Sequence, residues 1–266
     1  MRRLWLAIAL LALSSQTLAA LRVVSLAPSL SEIVVELDSA DLLVGVLDAG
    51  ERPAAIAHVP SVGRYGQLDM ERLLSLNPDL LLLWPGSVSV GQRDQLKRLN
   101  IPTFVAEPHS LAQLTKQIEL IAQQLGRPER GEKLATDLRE QLAGLRQRYH
   151  RDEPLRVFYQ VWDKPLFTVG GGQIISDALA VCGARNVFAD LNLPAPQVSI
   201  EAVLQRDPEV IVAGDQAQLG AWKVWPQVAA IRQGGLLLVT DKGLERPSGQ
   251  MISATAKLCQ LLAPDR

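Results

Sequence analysis

The chain has 266 residues, 48% of them hydrophobic and 21% charged, with 27 basic and 28 acidic side chains and a formal net charge of −1. That near-neutral balance lacks the basic excess a nucleic-acid partner demands, and the apolar fraction is too high for a disordered chain. The length is enough for two domains of modest size, each with its own core.

Arg2 and Arg3 precede an unbroken apolar stretch from Leu4 to Leu13, followed by Ser14-Ser15-Gln16 and the small residues Ala19 and Ala20. This order of charge, apolar stretch and small residues predicts a secretory signal peptide over residues 1–20. The stretch is well short of the roughly 20 apolar residues a membrane span needs, and no second one follows. No cysteine follows it, so a lipid anchor has no attachment point. The mature chain, with 25 basic and 28 acidic residues, is expected to be exported without inserting directly into a membrane.

Along the mature chain, apolar runs alternate with helical patterns. Val23–Leu26, Leu42–Val46, Leu80–Trp84 and Thr103–Val105 read as strands of a first lobe; Arg156–Val161, Val210–Ala213 and Leu236–Thr240 do so for a second. An internal repeat supports two lobes. Gln67-Leu68-Asp69-Met70-Glu71-Arg72-Leu73-Leu74-Ser75-Leu76-Asn77-Pro78-Asp79 returns 130 positions later as Gln197-Val198-Ser199-Ile200-Glu201-Ala202-Val203-Leu204-Gln205-Arg206-Asp207-Pro208-Glu209, and each copy runs into four apolar residues. A polar cap, a short helix, a Pro-acid stop and a buried strand make one unit of a parallel α/β sheet. The spacing is too long for a solenoid and fits equivalent pieces of two domains, which would face each other across a cleft.

Between the copies, Gly126-Arg127-Pro128 ends one helix and starts another. From Glu132 to Tyr149, Leu134, Leu138, Leu142, Leu145 and Tyr149 recur at three and four, a single stripe on a helix about 27 Å long. The expected organisation is an N-terminal lobe over 21–130, a connecting helix over 131–150 and a C-terminal lobe over 151–266. Cys182 and Cys259 lie outside any C-x-x-C spacing; in an exported chain they predict one disulfide, whereas two buried free thiols would require a reducing compartment.

An enzyme reading finds little. His58, His109 and His150 are far apart and outside any H-E-x-x-H or Ser-His-Asp context, and Gly170-Gly171-Gly172 lacks the Gly-Lys-Ser/Thr of a phosphate loop. An exported hydrolase with a scattered site is the disfavoured alternative; no catalytic or metal-binding set emerges.

Several segments together carry a family resemblance: Arg22-Val23-Val24-Ser25-Leu26-Ala27-Pro28-Ser29, Val62-Gly63-Arg64-Tyr65, Asn77-Pro78-Asp79-Leu80 with its strand ending at Trp84, the 132–149 helix, Phe167-Thr168-Val169-Gly170, Asp177 to Ala184, and Asn186-Val187-Phe188. Over essentially the whole mature chain these resemble the helical-backbone, metal-chelate class of ABC-importer binding proteins, and the Cys182/Cys259 pair with Trp84 points to its cobalamin branch. The resemblance implies a class III α/β fold, two similar lobes with mainly parallel sheets joined by one long spanning helix. It also implies a periplasmic, monomeric receptor that carries a corrinoid, with no cofactor of its own, to a dimeric inner-membrane ABC permease. The ligand-lining set it implies is Tyr65, Trp84, Trp162 and Phe167, aromatic walls suited to a flat macrocycle. Where better-known cobalamin proteins carry further aromatics, this chain has Ala49, Gly50 and Arg52, and then Gly243; Arg52 is counted with the lining. Haem or a ferric siderophore is therefore the alternative ligand, Tyr65 being a candidate phenolate to haem iron, although it lies one residue beyond the tyrosine expected of the haem branch, where this chain has Arg64. Glu71 and Glu245, each followed by arginine, match the surface glutamates that dock such receptors on permease arginines. Glu201, the repeat counterpart of Glu71, is expected only to support its own helix start.

Overall fold

A computed structural model describes residues 20–50 and 52–263; the predicted signal peptide falls almost wholly outside them. The first lobe runs β1 (Val23–Ser25), α1 (Pro28–Glu36), β2 (Leu43–Asp48), β3 (Ser61–Arg64), β4 (Gln67–Leu68), α2 (Met70–Ser75), β5 (Leu80–Leu83), α3 (Val90–Arg98), β6 (Thr103–Val105) and α4 (Leu111–Gln124). Helix α5 (Pro128–Arg148) leads to the second lobe: β7 (Leu155–Asp163), β8 (Leu166–Thr168), α6 (Ile174–Val181), β9 (Ala184–Asn186), α7 (Ile200–Arg206), β10 (Val210–Ala213), α8 (Gln216–Ala221), α9 (Ala229–Arg232), β11 (Leu236–Leu238) and α10 (Gln250–Leu262). The first sheet has the order β4-β3-β2-β1-β5-β6 and is parallel except for β4; the second has β11-β10-β7-β8, with β9 also parallel to β7 and only β8 antiparallel.

The uninterrupted apolar runs are explained by burial on both faces. In β5, Leu80 and Leu82 face one core with Val23, while Leu81 and Leu83 face a second with Val24 and the outer helices α2 and α3. In β10, Val210 and Val212 join the first of these cores, whereas Ile211 and Ala213 pack with Phe158, Phe188 and Trp222 beneath α7 and α8. The first core is thus shared: it runs from α1 through α4 and α5 to α6 and α10. One apolar body joins the lobes, and α5 lays one face on it.

Helix α5 starts three residues before the expected 131, because Pro128 occupies its first turn and needs no N–H partner there, and it ends at Arg148. Its 21 residues span about 31 Å. Leu138 and Leu142 are buried, and Leu134, Leu145 and Tyr149 pack at the margin, as the stripe requires. Gly131 permits the close approach to α4, since a methyl group there would lie 2.3 Å from the Ala122 side chain.

The repeat is reproduced in atomic detail. Asp69 and Ser199 each accept an N–H from three residues on, at 2.9 and 3.2 Å. Asn77 and Asp207 both take the left-handed conformation before their prolines, with φ of 43° and 42°. The acids that follow bind back to equivalent arginines: Asp79 accepts from Arg22 N at 2.8 Å and Glu209 from Arg156 N at 2.9 Å. Cys182, at the end of α6, is disulfide-bonded to Cys259 in α10, and among the described residues no cysteine is free.

Candidate functional site

In open α/β sheets ligands sit at the carboxyl ends of the strands, and here those ends approach one another across the lobes. Beyond β11 the chain continues through Val239, which donates to Ala213 O at 2.9 Å, into a 3-10 turn over Lys242–Glu245. From there Arg246 reaches the first lobe: its Nη2 lies 3.4 Å from where a methyl group on Gly50, just past β2, would stand. The loop after β2 of the first lobe therefore meets the segment after β11 of the second at Gly50 and Arg246.

Two predicted aromatics converge on the first-lobe side. Trp84 ends β5 and its carbonyl accepts from Ser87 N at 3.0 Å and the buried Ser87 Oγ at 2.7 Å, which folds Pro85-Gly86-Ser87 into a tight turn. The Ser87 carbonyl in turn accepts from Gly66 N at 2.9 Å, and Tyr65 N donates to Asp48 O at 3.2 Å, so the β3–β4 turn is tied to both neighbours. Tyr65 and Trp84 come together over Gly86, where a methyl group would lie 3.1 Å from the Trp84 Nε1 and 3.1 Å from the Tyr65 hydroxyl. Trp84 is half-buried and Tyr65 is 59% exposed, an apolar wall with a free phenol at its lip.

Trp162 and Phe167 stand on the second-lobe side as a directly opposed pair in the β7–β8 hairpin. A register shift between Gln160 and Trp162 re-aims the strand end, so that Gln160 is buried against Trp222 Nε1 at 2.7 Å while Trp162 shares the face of Phe167. Trp162 is 56% exposed and its indole N–H donates to Lys164 O at 3.2 Å. Phe167 is half-buried and bridges Gln197.

Arg52 follows the end of β2. Its guanidinium folds back on its own strand end, pairing with Asp48 and donating to Val59 O at 2.5 Å, because the carboxylate four residues earlier is the nearest counter-charge. Asp48 is held below the usual carboxylate range by the Ser61 hydroxyl and by Arg52. A second cation, Arg246, stands at the contact between the lobes, paired to Glu32 at 2.8 Å.

Glu71 is exposed in the first turn of α2, and Glu201 has the same place in α7. The Glu201 carboxyl is held low by its own backbone N–H and by Ser199. Glu245 is exposed too but sits in the turn leading to the lobe contact, where its charge adds to the burial that pushes the Tyr159 phenol up. A cavity of about 690 Å³ between α4, α5, α6 and β9, lined by His109, Arg146, His150 and Arg185, contains none of the aromatic set. Among the described residues no group of three or more His, Cys, Asp or Glu side chains could hold a metal, and no helix is long and apolar enough to cross a membrane.

Two mainly parallel sheets joined by one long connecting helix define a class III periplasmic binding protein. The sequence matches the periplasmic binding protein family over residues 23–234, and the chain belongs to that family. Among its relatives are the vitamin B12-binding protein of Vibrio parahaemolyticus, 32% identical over 90% of this chain and 88% of the relative, and that of Yersinia pestis, 35% identical over 97% and 91%. The crystal structure of the periplasmic vitamin B12-binding protein BtuF of Vibrio cholerae is similar with a TM-score of 0.82, 31% identity, and coverage of 91% of this chain and 96% of that one. The periplasmic haem-binding protein HutB of Vibrio cholerae shares the fold, with a TM-score of 0.80 at 20% identity and coverage of 92% and 100%.

Proposed function

We propose that this protein captures a corrinoid, cobalamin, between its lobes in the periplasm and delivers it to a dimeric inner-membrane ABC permease, after export directed by residues 1–20. The observation that carries the reading is the wall made by Tyr65 and Trp84 over Gly86; the Trp162–Phe167 pair of the β7–β8 hairpin is assigned as the facing wall. Flat aromatic and aliphatic walls with a few polar groups suit a large macrocycle rimmed with amides. The vitamin B12-binding relatives at 31–35% identity support the choice of ligand. A haem reading draws on one feature, the exposed Tyr65 phenol at the lip, which could ligate iron. In both readings the protein is a monomeric carrier and the chelate is cargo.

Docking is assigned to Glu71 on the first lobe and to a partner carboxylate on the second. The repeat favours Glu201 for the second role over Glu245, because Glu71 and Glu201 occupy the same turn of equivalent helices and so suit a two-fold permease. Calorimetric titration tests the ligand. Cobalamin is expected to bind at one per chain, and Trp84→Ala to weaken it by about 1–3 kcal/mol without unfolding the protein. Unchanged affinity in Trp84→Ala would reject the wall.

A further inference from the structure

Glu32 has a side-chain exposure of 1% and sits on α1 of the first lobe, yet the groups it bonds belong to the second. Its Oε1 accepts from Arg246 Nη1 at 2.8 Å and its Oε2 from Ser248 Oγ at 2.9 Å. One turn further along α1, Glu36 accepts from Gly249 N at 2.8 Å and Gln250 N at 3.1 Å, at the start of α10. Both carboxylates leave the same face of α1 and grip consecutive residues of the other lobe. Gly249 makes the approach possible, since a methyl group there would lie 2.8 to 3.0 Å from the Glu36 carboxyl. A carboxylate so fully withdrawn from water is unfavourable unless its charge is matched. Glu32 therefore constrains where Arg246 can stand, and Arg246 stands beside Gly50 in the loop that leaves the carboxyl end of β2.

We propose that Glu32 is a positioning residue for ligand capture: it fixes the Arg246 guanidinium at the floor of the cleft and, together with Glu36, pins the lobes at their working separation before ligand arrives. Its effect on affinity passes through Arg246, so the two residues act as one unit. The ligand part of this inference rests on the cobalamin reading; the pinning of the lobes does not.

The test uses the mature protein with Glu32→Gln, Arg246→Ala and the double variant, titrated calorimetrically with cobalamin, and hydrogen exchange by mass spectrometry over 246–256 without ligand. Each single change is expected to weaken cobalamin roughly tenfold, and the double variant to be no worse than the weaker single, the signature of coupled residues. Exchange at the amides of residues 249–252 should quicken in Glu32→Gln. Glu32→Asp, which keeps the charge but shortens the arm, should fall between wild type and Glu32→Gln, and serves if the Gln variant does not fold. Losses that simply add, or wild-type affinity and exchange in Glu32→Gln, would overturn the proposal. A wild type that ignores cobalamin while Glu32→Gln still exchanges faster would overturn the ligand reading and uphold the pinning.

Discussion

Glu36 carries a carboxylate into the contact between lobes, where burial pushes its pKa up to about 7 despite the two N–H groups of Gly249 and Gln250, and the charge of Glu32 adds to the rise. A carboxyl whose folded value lies above its unfolded value near 4.5 binds its proton more tightly when folded. Its contribution to stability is therefore complete below pH 4.5 and is lost as pH rises through 7. Urea unfolding should show stability falling by roughly 2–3 kcal/mol between pH 5 and pH 8.5, and Glu36→Gln should flatten that slope. An equal slope in the variant would show that some other group titrates. The aromatic candidates Trp84 and Tyr65 came from the family resemblance, beside the turn residues Pro85-Gly86 and Gly66. Arg246 was visible only as the neighbour of Glu245, and nothing in the local sequence singled out Glu32. What distinguishes these two is a pairing across 214 residues, which no local pattern encodes.

At the level of elements, the repeat was the strongest signal in the sequence, since caps, pre-proline turn and strand all recur within one window. Its anchors, Arg22 to Asp79 and Arg156 to Glu209, join the unit to the strand beside it and lie outside that window. The short strands β3, β4, β8 and β9 had no readable pattern, because two to four residues give no period and partners far along the chain define them. The disulfide makes an element-scale prediction. It links the end of α6 to α10 across 77 residues. On the chain-entropy account, Cys182→Ala with Cys259→Ala should lower stability by about 4 kcal/mol. Ellman titration of the denatured wild type should find no free thiol, and two titratable thiols would contradict the bond.

Across the whole molecule, the core shared through α4 and α5 joins the lobes into one body, and the proposed delivery to a permease would then rest on surface groups. If Glu71 and Glu201 form that surface, reversing both to arginine should leave cobalamin affinity unchanged while uptake into vesicles carrying the permease falls at least tenfold, since like charges would then meet at the docking face. Reversing Glu71 with Glu245 should impair uptake less. The opposite ranking would assign the second contact to Glu245, and normal uptake by both would reject docking by these carboxylates. Two lobes and a spanning helix could be read from periodicity and the repeat; how the strand ends face one another could not, because it is set by α1 and α10 packing at long range. The central claim is that the cleft is built for a corrinoid. Its most direct test is to incubate the purified protein with equimolar cobalamin, haem and a ferric siderophore together, pass it through gel filtration and record the visible spectrum of the protein peak. The account predicts the cobalamin spectrum at one per chain; a haem or ferric-siderophore spectrum in its place would contradict it.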